Sequence, residues 1–317
     1  MITLLLLLSI QTSFALRIKV AALAPKGTNW AKAIQGFAKE VKKKTKGRVK
    51  FKVFYGGVQG DEPVVLRKVR VGQLQGGIFT GKTLGDIAPN VRVMEVPFNF
   101  YTDRVKAKKA LDGLTPYFNG ELLKKEFVTL GFYEIGLVYV VSRKKLSGLN
   151  ELKGKSFWYW EGDEVVSAMV SSLGLISKQV PIHEVKSALS TDMITAAYAP
   201  PMGILALQWQ SEVKYLVNFP TAYAIAAFLV KKEIWNKVSA EDQKSIMEIS
   251  KKYVAKANTD VIQDNIKGLE ELKKGGVEFV DFSKEDIKKA ETVRSDIVKK
   301  LKGEISVEAF KKLEAFR

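Results

Sequence analysis

The stretch Leu149-Asn150-Glu151-Leu152-Lys153-Gly154-Lys155-Ser156-Phe157-Trp158-Tyr159-Trp160 decides the fold. A lysine-bearing turn closes at Gly154 and feeds four consecutive aromatic residues of strand character. Successive side chains of a strand point to opposite faces, so Trp158 and Trp160 share one face while Phe157 and Tyr159 share the other. Two indoles side by side call for a large core or for a ligand, and aromatic residues serve both. The rest of the chain has to separate these readings.

At 317 residues the chain is too long for one small core, so two lobes are expected. Hydrophobic residues are 46% and charged residues 27%, an ordinary globular balance with no internal repeat. Cysteine is absent, which excludes disulfides, thiolate metal sites and cysteine nucleophiles. The apolar run Leu4–Leu8 with Ile10, followed by Gln11-Thr12-Ser13-Phe14-Ala15, reads as a signal peptide over residues 1–15, although no Lys or Arg precedes it. It is shorter than the roughly 20 residues a spanning helix needs, so a periplasmic location is expected rather than a membrane anchor. Residues 1–15 carry no charged side chain, and the whole excess of 51 − 34 = +17 falls on the mature chain. Runs such as Lys42-Lys43-Lys44 and Lys288-Lys289 read as solvated helix faces. No concentrated basic motif suggests a nucleic-acid partner, while weak contact with an anionic membrane surface stays open.

Arg17–Leu23 alternates as an opening strand, and Asn29 can cap a helix carrying Trp30, Ile34, Phe37, Ala38 and Val41. A second strand runs over Val49–Tyr55, Asp61 caps the next helix, and Gly76–Thr80 reads as a third strand. This alternation implies a parallel sheet with right-handed crossovers. Helices are expected after Asp103 and over Pro116–Glu126, with strands over Val128–Phe132 and Leu137–Ser142. Beyond the aromatic strand come a helix opened by Asp163, a short helix ending at Leu189, an apolar strand Ile194–Ala199 and a helix from Pro200-Pro201 through Trp209. Strands over Tyr215–Phe219 and Tyr223–Val230 precede a long helix from Ser239 to Lys274. A short strand over Val277–Val280 and helices opened by Ser283 and Ser306 complete the chain.

Catalytic constellations are scarce, and no enzyme is expected. His183 is the only histidine and sits in a loop beside Pro181, no Gly-x-Ser-x-Gly elbow exists, and Gly56-Gly57-Val58-Gln59-Gly60 lacks the ending of a phosphate-binding loop. No cofactor is implied. A histidine or cysteine metal cluster cannot be built, although a carboxylate-only calcium site stays open.

The segment order resembles the solute-binding proteins of tripartite ATP-independent periplasmic (TRAP) transporters, from about Arg17 to Lys302. The likeness rests on Lys19–Trp30, on Gly47-Arg48-Val49 through Tyr55-Gly56-Gly57-x-x-Gly60-Asp61, and on Val96-Pro97-Phe98. It continues in Leu149-x-x-Leu152-Lys153-Gly154-Lys155 and in Glu184-Val185-x-x-Ala188-Leu189-Ser190-Thr191. It implies an α/β, two-lobed periplasmic-binding-protein-like fold with a long connecting helix, closing on a ligand by a hinge motion. The division so implied is 16–138 plus 220–262 for lobe I and 139–219 plus 263–317 for lobe II. TRAP membrane subunits would be the partners.

Departures from the family pattern are informative. The arginine that normally grips a substrate carboxylate is replaced by Trp158, a second family arginine by Val138, and a family asparagine by Ala199. A carboxylate sealed in a cleft without a partner costs several kcal/mol, so a neutral hydrophobic, aromatic or lipid-like ligand is expected first and a cationic one second. Candidate contacts are Trp158, Trp160, Val138 and Ala199, with Tyr139 and Tyr198 beside them, and Asn29, Phe79 and Tyr223 elsewhere in the cleft. Glu161 and Asp163 would help a cation but also suit helix caps. Two further readings stand beside the receptor: a stand-alone periplasmic lipid or hydrophobe carrier or sensor subunit, and an organic-acid receptor using contacts outside the family pattern.

Overall fold

The computed structural model describes residues 15–100 and 103–316, so the expected signal segment lies outside it except for Ala15. The first lobe opens with β1 (Leu16–Ala21), α1 (Asn29–Lys44), β2 (Val49–Phe54), α2 (Glu62–Arg70) and β3 (Gly76–Thr80). As the alternation requires, β1 pairs in parallel with both β2 and β3. One cap shifts by a residue. Thr28, rather than Asn29, caps α1, its Oγ1 accepting from the Ala31 N–H at 3.2 Å, and Asn29 is already helical. After α3 (Gly81–Ile87) a 3-10 segment spans Pro89–Glu95, followed by α4 (Arg104–Lys124).

Two helices are expected where α4 forms one. Pro116 lies inside it and removes one intrahelical donor. The acceptor that loses its partner belongs to the exposed Asp112, where water can serve it, so the helix continues.

The largest departure from the sequence reading is β4 (Phe127–Ser142), one strand of 16 residues where two are expected. Bulges between Thr129 and Gly131 and between Glu134 and Gly136 break its alternation, which is why it reads as two. Its first part pairs with β9 (Ala222–Lys231), its last with β7 (Ala196–Ala199) and β8 (Tyr215–Val217). β4 is therefore common to both lobes.

The second lobe adds α5 (Leu149–Leu152), β5 (Ser156–Trp158), α6 (Glu164–Ser172), β6 (Ile176–Lys178), α7 (Val185–Ser190) and α8 (Pro201–Ala206). The expected run of α8 to Trp209 stops early because Gln208 turns left-handed (φ 57°) and a 3-10 turn follows at Trp209–Ser211. The strand order is β2-β1-β3-β9-β4-β7-β5-β6, with β8 bridging β4 and β10 (Glu278–Val280). α9 (Lys232–Trp235) leads into α10 (Ala240–Lys274), whose 35 residues span about 52 Å at 1.5 Å per residue. α10 packs on α1 in the first lobe, on β4, and on α8 in the second. α11 (Lys284–Lys300) covers α6, and α12 (Val307–Glu314) packs on α4 and the 3-10 segment, on the first-lobe side.

Two asparagines of α10 hold the second bulge of β4. Asn258 Oδ1 accepts from the Glu134 N–H at 2.9 Å, and Asn265 Nδ2 donates to the Ile135 carbonyl at 2.9 Å. Gly136 adopts φ +114°, and a Cβ there would stand 2.4 Å from Asn265 Nδ2. Gly136→Ala is expected to lower unfolding free energy by about 1–3 kcal/mol through backbone strain and loss of the Asn265 bond. Denaturant titration checks this; an unchanged midpoint would contradict it.

Candidate functional site

A cavity of about 680 Å³ opens where residues of both lobes converge on β4. Trp30, Asp61, Glu62, Arg92 and Glu95 enter it from the first lobe. Trp158, Trp160, Asp163, Tyr198 and Trp209 enter it from the second.

The aromatic wall grows from the end of β5. The strand stops at Trp158, so the four aromatics do not all share strand geometry. Trp158 is buried, and its Nε1 donates to the Val180 carbonyl at 2.8 Å. Around its ring stand Trp160 (centroids 5.3 Å, planes at 61°), Trp209 (5.4 Å, 79°) and Tyr198 (5.5 Å, 32°). Trp160 Nε1 reaches across to Asp61 Oδ2 at 3.3 Å, joining the second lobe to the cap of α2. Phe157 and Tyr159 are buried in the core, Phe157 stacked on Tyr198 at 5.7 Å.

Of the residues expected here, Trp158, Trp160, Val138, Tyr198 and Ala199 line the cavity. Alternation turns Tyr198 away, yet its ring reaches the cleft at the end of β7, held between Phe157 and Trp158. The other four lie elsewhere. Tyr139 packs into the second-lobe core and Phe79 into the first. Tyr223 is fully buried, its hydroxyl donating to Glu134, which also takes Arg104 Nε at 2.6 Å. Asn29 donates to Asp264 of α10 at 2.8 Å. Glu161 is exposed, and His183 stands at the rim with its side chain 72% exposed.

Of the charged floor of the cleft, the sequence reading includes only Asp163, as a cap or a partner for a cation; Arg92 and Glu95 are absent from it. Arg92, in the 3-10 segment, is 6% exposed; its Nε lies 2.8 Å from Glu95 Oε2 and its Nη2 2.9 Å from Asp163 Oδ1. Asp163 both caps α6, accepting from the Val166 N–H at 3.1 Å, and carries this ion pair between lobes. Removing Arg92 would leave two buried carboxylates uncompensated, at about 3–5 kcal/mol. Burial pushes the Glu95 carboxyl up against the pull of Arg92. The one available signal was a pair of charges three residues apart inside the apolar run Val91–Val96. Glu62 is also buried, accepting from the Thr80 N–H (2.7 Å) and hydroxyl (3.0 Å), and burial pushes its carboxyl up to about 8. Among the described residues no group of three or more histidine or acidic side chains is placed to hold a metal, and no helix is long and apolar enough to cross a membrane.

Two α/β lobes sharing a strand and a long helix, with a ligand-sized cleft between them, form the architecture of a small-molecule binding protein. The family model DctP, bacterial extracellular solute-binding protein family 7, matches residues 20–304, and the chain belongs to this family of TRAP-type receptors. It is 26% identical over 277 residues to a solute-binding protein of Verminephrobacter eiseniae, covering 86% of this chain and 80% of that one. It is 22% identical to the C4-dicarboxylate-binding periplasmic protein DctP of Rhodobacter capsulatus, covering 84% and 79%. The fold superposes on the sugar acid binding protein DctPAm of Advenella mimigardefordensis, solved with galactonate, at TM-score 0.87 and 22% identity over 95% of this chain and 98% of that one. A TRAP solute-binding protein of Desulfovibrio salexigens, solved with orotic acid, gives 0.86 at 20% identity over 95% and 97%.

Two outcomes follow for the site. Trp158→Ala removes the ring around which three others pack and is expected to cost about 3–5 kcal/mol of stability, read by chemical denaturation; a loss below ~1 kcal/mol would contradict that packing. Glu62 holds its proton more tightly folded than unfolded, where its ordinary value is 4.5. Its contribution to stability is therefore complete below that value and lost as pH rises towards about 8. Glu62→Gln cannot ionise, so its melting temperature should gain on the wild type between pH 5 and 8; parallel profiles would refute the shift.

Proposed function

We propose that this receptor captures a small solute with an apolar or aromatic body, without an arginine clamp for a carboxylate, and delivers it to TRAP membrane subunits. One observation carries the reading: among the described residues Arg92 is the only lysine or arginine lining the cleft, and Glu95 and Asp163 already share it. A ligand carboxylate would enter a space whose sole guanidinium is engaged by two protein carboxylates, and desolvating it there costs several kcal/mol. The tryptophan and tyrosine faces instead offer broad apolar contact. Trp158, at the position where the family resemblance places an arginine, is the centre of that wall. Closure of the lobes would bury the solute against it and exclude water.

A second reading keeps an organic acid as cargo, as in the relatives solved with galactonate and orotic acid. It would require Arg92 to exchange Glu95 or Asp163 for the ligand, and Arg92 Nε, which has no well-aligned hydrogen-bond acceptor, favours it. Calorimetry separates the two. Neutral aromatic solutes such as tryptophol and indole should bind, while D-galactonate, orotate and C4-dicarboxylates should give no heat at millimolar concentration. Binding of an acid at micromolar concentration, with neutral solutes silent, would overturn the proposal.

A further inference from the structure

The cleft is acidic inside a basic protein. Across the chain 51 Lys and Arg face 34 Asp and Glu, yet among the described residues the cavity is lined by Asp61, Glu95 and Asp163, and by Glu62 held largely neutral, against Arg92 alone, with His183 at the rim. Arg92 offsets one negative charge of the Glu95–Asp163 pair and leaves the other. The Asp61 carboxylate takes the Glu62 N–H at 2.8 Å and the Trp160 indole N–H at 3.3 Å, both neutral donors. Among the described residues no Lys or Arg forms an ion pair with Asp61 or Glu62.

We propose that the cleft takes an organic cation, an ammonium or quaternary ammonium group on an apolar or aromatic body, with its charge placed between the Asp61 carboxylate and the corner formed by Trp158 and Trp160. This rests on the reading that the cleft has no carboxylate clamp. The two indoles meet edge to face at 61° with centroids 5.3 Å apart, and the Trp160 N–H lies 3.3 Å from Asp61 Oδ2, so the cavity lining brings aromatic rings and an unpaired carboxylate together. Cation–π attraction strengthens when the cation is desolvated, as it would be in a closed cleft. A carboxylate without a cationic partner attracts a cation strongly in such surroundings, repels an anion and offers a neutral body little. Glu62 adds no negative charge of its own at neutral pH: chiefly burial, and to a smaller extent Asp61 and Glu95, push its carboxyl up to about 8.

One ring with three charges tests this. Tryptamine (cationic), tryptophol (neutral) and indole-3-propionate (anionic) are titrated calorimetrically at pH 7 into the protein and into Asp61→Asn. Asparagine caps a helix as well as aspartate does, so its one acceptor oxygen keeps the Glu62 N–H bond at the start of α2 and gives up the longer one to Trp160. Tryptamine should bind about tenfold or more tighter than tryptophol, and Asp61→Asn should remove most of that difference while leaving tryptophol within about twofold. Equal or weaker binding of tryptamine, with tryptophol bound, overturns the cation assignment and leaves the apolar-ligand reading standing. An equal loss for both ligands in Asp61→Asn would show that Asp61 acts through structure, and overturns the assignment. Tightest binding by indole-3-propionate overturns both, as does silence from all three.

Discussion

Arg92 is the residue on which the cleft depends. A guanidinium buried to this degree needs its charge matched, and the match comes from two directions: Glu95 three residues along the same segment, and Asp163 from the opposite lobe. The ion pair does two things at once. It ties the lobes together at the cleft floor, and it engages the one lysine or arginine that lines the cleft among the described residues. Structural relatives in this family were solved with sugar acids and orotic acid, and that engagement of Arg92 is the basis for proposing a different ligand charge here.

The arrangement is possible because the lobes are joined by stiff elements with one defined irregularity. β4 runs unbroken through both lobes, and α10 lies along it from α1 to α8. At the bulge near Gly136 the ladder is interrupted, and Asn258 and Asn265 of the helix supply the hydrogen bonds that the neighbouring strand cannot. Trp160 and Asp61, from opposite lobes, meet at hydrogen-bonding distance. With the aromatic wall on one side and carboxylates on the other, the cleft becomes an amphipathic slot in a strongly basic protein.

Much of the fold was readable from local signals. Ser239, Ser283 and Ser306 each accept a hydrogen bond from a backbone N–H three residues on, as capping patterns require, and apolar spacing placed most strands and helices. What escaped was non-local. β4 looks like two strands because the groups that satisfy its bulge lie 124 and 130 residues away. Asn29 has the chemistry of a cap, but Thr28 takes that place and Asn29 turns to Asp264. The site was half visible. Trp158 and Trp160 stood out as adjacent indoles on one face, and Val138 and Ala199 followed from the resemblance. Phe79, Tyr139 and Tyr223 lie in the core, which strand alternation alone does not reveal. Arg92 and Glu62 were hidden because a buried charge in an apolar run looks like a surface residue until its partner from another segment is known.

The account's central claim concerns the charge of the solute this cleft selects, and the direct measurement is to identify what the protein carries when isolated. Native mass spectrometry of gently purified protein, followed by release and accurate-mass analysis of the bound species, gives that answer without a chosen ligand panel. The account predicts an amine, a quaternary ammonium compound or a neutral aromatic molecule at one per chain. A sugar acid or dicarboxylate bound at the same stoichiometry would contradict it.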